Sequence, residues 1–282
     1  MSEPILPPKS DTVFQLLFGD PRNVDLLADF IKAAIDIPDD EYRDIVIVNP
    51  NLTREYPDRK LGVVDLRVTT RTGQIVHVEI QRYPFPTMRG RIIFYDANML
   101  VGQIGESEKY DNLKRVISIL ITDYTLITES PLYHHRFTLY DPAALVEFTD
   151  LLEIHTLELP KLPATPDVYL WNWLRFFSAE TMEELKMVAN ASPAILKATA
   201  TVKKLSRNER ARLLHEYEVK ARRDELARLD YAMETGIEKG IEKGRTEGLA
   251  AVALNMLKRN RPIAEIAEYT GLPAAEIKKL AR

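Results

Sequence analysis

Three residues, Asp65, Glu79 and Gln81, have the types and spacing that point to chemistry. They lie in two alternating segments, residues 63–70 (VVDLRVTT) and 75–81 (IVHVEIQ), which flank Thr72-Gly73 and read as a β-hairpin. Antiparallel pairing about that turn sets Asp65 opposite Glu79, Arg67 opposite His77 and Val63 opposite Gln81. Val64, Leu66 and Val68 then share an apolar face with Val76, Val78 and Ile80, while the acids and Gln81 share the other. Opposed Cβ atoms in such a pair are about 4.5–5.5 Å apart, so two like charges there need a counter-charge. Mg²⁺ would serve: it takes hard oxygen ligands from one or two carboxylates and leaves its other positions to water and phosphate. The same spacing equally describes a solvated polar face on which Arg67 balances Glu79 diagonally, and spacing alone leaves both readings open.

The elements around the hairpin must hold it. Residues 12–19 (TVFQLLFG) read as a short helix capped by Asp11 or Ser10 and stopped at Gly19, and residues 24–35 as a helix with apolar residues at three- and four-residue steps. Residues 44–48 suggest a short strand, 89–103 a helix, and 115–122 (RVISILIT) a buried central strand. Residues 135–140 and 152–159 alternate and extend the sheet or pair beside it. The Pro-rich stretch 160–166 predicts a domain boundary, beyond which the pattern is helical. Further on, glycines recur every four residues from Gly236 to Gly248 (GIEKGIEKGRTEG); each costs a helix about 0.8–1 kcal/mol relative to alanine. The repeat therefore reads as a flexible connector or as a helix needing a close partner.

Composition narrows the chemistry. The 282 residues contain no cysteine, which removes thiolate zinc sites, iron–sulfur clusters and cysteine nucleophiles, and which fits a reducing, cytoplasmic setting. With 45% hydrophobic residues the chain can build real cores. A net charge of −4 leaves nucleic-acid contact to local basic patches. The longest apolar run, residues 116–121, is far short of the roughly 20 residues a bilayer requires, so no membrane association is expected, and the start lacks a secretory-signal layout. Neither a nucleotide-binding glycine loop nor a catalytic-triad spacing occurs, and the five histidines show no ligand spacing.

The run Val63-Val-Asp65-Leu-Arg-Val, Gly73, then Val78-Glu79-Ile80-Gln81 resembles the active-site hairpin of the PD-(D/E)XK nuclease superfamily. More narrowly, it resembles the recombination-promoting nuclease and putative transposase group often called Rpn. Further matches are Ser10-Asp11-Thr-Val-Phe14 with Leu17-Phe18-Gly19, Arg91-Ile-Ile-Phe-Tyr95, Leu157-Glu-Leu-Pro-Lys161 and the GIEKGIEKG repeat. The resemblance implies an α/β fold, a mixed sheet flanked by helices, with a helical C-terminal region. It implies that Asp65, Glu79 and the Ile80 carbonyl hold Mg²⁺ or Mn²⁺ and that the substrate is DNA. Val64 stands where the superfamily's name has proline, and Gln81 where it has lysine. An amide can orient a water but adds no charge, so two readings stand: a Mg²⁺-dependent deoxyribonuclease, or an inactive DNA-binding or oligomeric scaffold of the same fold. The domains expected are residues 1–165 (nuclease-like), 166–235 (helical), 236–248 (connector) and 249–282 (a helix-turn-helix-like tail).

Around this site, Asp11 is a candidate third acid or simply a helix cap, and His77, two residues before Glu79 on the same face, a candidate proton shuttle. Arg91 and Tyr95, four apart on a helix, can both face the cleft, with Arg91 on a phosphate. Arg82 and Arg89 flank Tyr83-Pro-Phe-Pro86 as a basic, aromatic lip. In the tail, Lys278, Lys279 and Arg282 would meet DNA phosphates, and the C-terminal helices could join copies into a homo-oligomer.

Overall fold

The computed structural model describes residues 5–48, 65–105, 109–166 and 168–280. Val63, Val64 and Arg282 lie outside the described residues, and Asp65 is described by its backbone. Two compact units divide at Glu218/Val219.

In the first unit, helices α1 (Asp11–Phe18) and α2 (Val24–Ala34) precede strands β1 (Val46–Ile47), β2 (Asp65–Thr69) and β3 (Ile75–Gln81). Then come α3 (Met88–Val101), β4 (Val116–Thr122), β5 (His134–Asp141) and β6 (Val146–Glu158), followed by α4 (Tyr169–Ser178), α5 (Met182–Ala189) and α6 (Pro193–Arg207). The sheet runs β1-β2-β3-β4-β6-β5. β2 and β3 are the expected antiparallel hairpin, with Asp65 opposite Glu79 and Arg67 opposite His77. Gly73 has φ +90°, which lets the turn close without the Cβ clash another residue would meet. β3, β4 and β6 run parallel, and the β3-α3-β4 crossover lays α3 across one face.

Strand alternation gives the sheet two unlike faces. Leu66, Val68, Val76, Val78, Ile80, Ile117, Ile119, Ile121 and Leu157 are buried in one large core with α1, α2, α4, α5 and α6. Its centre is aromatic: Trp173 packs on Phe18 (5.8 Å between centroids) and Phe30 (5.9 Å), and Phe177 on Phe14 (6.0 Å) and Phe30 (5.2 Å). The other face carries His77, Glu79 and Gln81, beside Ser118, Leu120 and Thr122 of β4. α3 covers part of it through Met88 and Ile92 on Leu120.

The Pro-rich stretch at 160–166 is followed by α4 to α6, which supply much of the same core. Residues 236–248 are helical throughout, inside α7 (Glu209–Lys258). In the second unit α7 continues to α8 (Ile263–Thr270) and α9 (Ala274–Leu280), which bury Ala253, Ile266 and Ile277 together. Gly271, at φ +70°, ends α8.

Candidate active site

Glu79 lies in the middle of the sheet on the α3 face, 3% exposed. Its Cα partner across the hairpin is Asp65, and its parallel neighbour is Leu120. Arg91 reaches it from α3: Nη2 lies 3.2 Å from Glu79 Oε1, and the Arg91 side chain is 20% exposed. The guanidinium sits between two rings, 5.7 Å from the centroid of Phe85 and 5.4 Å from that of Tyr95. The counter-charge for Glu79 thus comes from α3 rather than diagonally from Arg67, which is exposed. Gln81 ends the strand, and its Nε2 donates to the Tyr83 carbonyl (3.2 Å), which fixes the amide at the cleft.

α3 is held in place by a buried polar chain. His77 Nδ1 and Ser118 Oγ are 3.1 Å apart, and Ser118 Oγ donates to Asp96 Oδ1 (2.5 Å) on α3. His77 is 3% exposed and Asp96 0%. His77 is therefore near Glu79 in sequence but engaged with the helix that carries Arg91, which suits it to anchoring better than to shuttling protons through solvent.

The strand ends add a residue that sequence spacing did not reveal. Tyr124, just past β4, is pushed up to about 12 by burial and then by the charge of Glu79. The loop bearing it is clamped by Glu158, which is fully buried: its Oε2 accepts from the amides of Leu126 (2.8 Å) and Ile127 (3.3 Å) and pairs with Lys161 Nζ (2.9 Å). Lys161 Nζ also donates to the carbonyls of Ile127 (2.6 Å) and Ser130 (2.8 Å). This explains the Leu157-Glu-Leu-Pro-Lys161 segment as a loop clamp. Lys161→Met is expected to cost about 3–5 kcal/mol in urea unfolding, because it strands a buried carboxylate.

The basic residues expected at the lip are tied up differently. Arg89 forks onto Glu129 (2.9 Å), an exposed pair that holds Glu129 down to about 2. Arg82 points toward α1 and gives Nη1 to Glu218 Oε1 (2.9 Å), with side chains 18% and 13% exposed. Glu218 also accepts from the amides of Asp11 (3.3 Å) and Thr12 (3.0 Å). The cap of α1 is Ser10, whose Oγ accepts from Val13 N (3.3 Å), so Asp11 is not the cap. Burial opposes ionisation of Glu218, yet contacts from His215, Thr12 and Arg82 outweigh it and bring the carboxyl to about 2.

Asp11 goes the other way, to about 6, through burial and then the charge of Glu218. Between about pH 4 and 6 the folded state holds a proton on Asp11 that the unfolded chain has lost, so this group's contribution to stability falls as pH rises through that window. Asp11→Asn removes the like-charge penalty. It is expected to stabilise the protein at pH 7.5 by roughly 1–3 kcal/mol, a gain that closes by pH 4 in parallel thermal melts.

Farther along the sheet, His134 Nε2 and His155 Nδ1 are 2.8 Å apart and His155 Nε2 lies 2.7 Å from Glu153, which also pairs with Arg136 (2.7 Å) and Arg115 (3.0 Å). Burial and then His155 lower His134 to about 4. The strand register, not sequence spacing, brings this chain together.

The donors at the hairpin suit a hard cation. Gln81 O accepts from Asp123 N on the β4 side (3.0 Å), so by strand alternation the Ile80 carbonyl is directed to the β2 side. Glu79 already holds a positive group, the Arg91 guanidinium, against a buried carboxylate. Among the described residues no group of three or more His, Cys, Asp or Glu is placed to hold a metal. Lys278 and Lys279 are exposed on α9.

A six-stranded mixed sheet flanked by helices, with its acids on the hairpin that feeds the central parallel strands, is the plan of a PD-(D/E)XK nuclease fold. The sequence model described as PD-(D/E)XK nuclease family transposase matches residues 8–232, and the chain belongs to that family. No curated protein and no solved structure gave a significant match. Membership makes the function nuclease- or transposase-related, with DNA the substrate that the family implies and divalent metal its general requirement. Among the described residues no helix is long and apolar enough to cross a membrane.

Proposed function

We propose that the protein is a metal-dependent DNA endonuclease that hydrolyses phosphodiester bonds, in the service of recombination or mobile DNA. The observation that carries this reading is the buried Glu79 carboxylate, set opposite Asp65 on the hairpin and faced by Arg91. Asp65, Glu79 and the Ile80 carbonyl would hold Mg²⁺ or Mn²⁺, which when bound lowers the pKa of a water and offsets charge on the phosphate. Gln81 orients the attacking water by hydrogen bonds. Arg91 steadies the phosphate, and Tyr95 with Tyr83 and Phe85 lines the approach; the latter two are 36% and 46% exposed. Arg82 and Arg89 serve DNA only by exchanging their present carboxylate partners for phosphate. Lys278 and Lys279, with Arg282, add phosphate contacts from the tail, and the C-terminal helices offer a surface for a second copy. Asp11 and His77 act in support, through α1 and α3. The expected setting is the cytoplasm.

The second reading, a scaffold that binds DNA without cutting it, is favoured by Gln81 in the usual lysine position. Plasmid nicking assayed with Mg²⁺, Mn²⁺ and chelator, beside calorimetric titration of each ion, separates the two. Metal binding with nicking supports the nuclease; DNA binding with neither supports the scaffold.

A further inference from the structure

Arg91 lies against one oxygen of the carboxylate that a cation at the hairpin would use. Its Nη2 lies 3.2 Å from Oε1, the carboxylate is 4% exposed, and the two rings of Phe85 and Tyr95 keep the guanidinium at the mouth of the cleft. A divalent ion seated on the same carboxylate repels a guanidinium, and Mg²⁺ demands near-ideal octahedral geometry at about 2.0–2.1 Å. The two cations therefore compete for Glu79. The helix that carries Arg91 is anchored at Asp96 and Ser118, so what gives way is the end of the side chain and not α3.

We infer that Arg91 couples metal binding to DNA binding. Without metal it offsets the charge of the buried Glu79 carboxylate. A cation on Glu79 displaces it, and the freed fork, still flanked by Phe85 and Tyr95, turns to a DNA phosphate. Because coupling between two ligands is reciprocal, phosphate that draws Arg91 away also raises the affinity of Glu79 for metal. Arginine suits this exchange, since its planar fork accepts a carboxylate or a phosphate with the same geometry. The inference rests on the metal-nuclease reading.

The test is calorimetric titration of Mn²⁺ into wild type, Arg91→Met and Arg91→Lys, each with and without a short phosphorothioate duplex that resists cleavage. Without DNA, Arg91→Met should bind Mn²⁺ roughly five- to tenfold more tightly than wild type, and Arg91→Lys should stay near wild type. With DNA, wild-type affinity should rise by a similar factor and Arg91→Met should not change. The wild-type arm alone suffices should a variant fail to fold. Equal Mn²⁺ affinity in wild type and Arg91→Met, or wild-type affinity indifferent to DNA, overturns the coupling and leaves the nuclease reading standing. Absence of Mn²⁺ binding in every arm removes both.

Discussion

Glu79→Gln is expected to reduce DNA cleavage by roughly a hundredfold or more, the scale at which enzymes lose rate when one preorganised electrostatic group at the reacting phosphate is removed. The substitution keeps the shape of the side chain and an oxygen that can accept from Arg91, so the sheet and α3 should remain folded. It removes the negative charge that would hold the ion. Glu79 sits 3% exposed in the central antiparallel-to-parallel junction of the sheet, where solvent cannot supply the missing charge. Cleavage and ion affinity should fall together, while circular dichroism and the melting profile stay close to wild type. Undiminished nicking by the Glu79→Gln enzyme at matched Mg²⁺ would falsify the assignment of this carboxylate.

A chain ending at residue 165 is expected not to fold cooperatively, and Trp173→Ala in the full chain should cost about 3–5 kcal/mol. The reason is the aromatic centre of the large core. Phe14, Phe18 and Phe30 come from the first two helices, and their partners Trp173 and Phe177 come from α4. Trp173 is fully buried, and its Nε1 donates to Asp29 Oδ2 on α2 (2.8 Å). Removing the indole empties a large volume and leaves that carboxylate short of a donor. A loss of this size is a large share of the roughly 5–15 kcal/mol that keeps a typical protein folded. Urea unfolding followed by far-ultraviolet circular dichroism reads both effects. A cooperative transition in the truncated chain would show that the sheet and first two helices form a self-sufficient core.

These expectations show where local sequence is sufficient and where it is not. The hairpin was legible because alternation on two strands and a glycine turn admit one register that keeps both apolar faces buried; the Asp65–Glu79 and Arg67–His77 pairings follow. The central strand at Val116–Thr122 was legible because it is β-branched and mostly apolar, and all seven of its residues are buried. Arg91 and Tyr95 sharing one helical face followed from their spacing, and the structure sets the Arg91 guanidinium 5.4 Å from the Tyr95 ring centroid. The cap of α1 was open between Ser10 and Asp11, since either side chain can accept from the first turn; the backbone decides it for Ser10.

By itself, then, the sequence determined the sheet-forming segments, the hairpin register and the pair of acids that lie across it, because strand period and turn chemistry act over a few residues. Only tertiary structure decided what surrounds those acids. That Arg91, and not Arg67, neutralises Glu79 depends on how the β3-α3-β4 crossover lays a helix on the sheet. That Arg82 turns to Glu218, 136 residues away, depends on the meeting of α7 with α1. That α4 to α6 belong to the nuclease core depends on long-range burial of rings, which a proline-rich stretch between them and the sheet conceals. Contacts between residues so distant in the chain carry no local periodicity, and it is the packing of the whole first unit that fixes them.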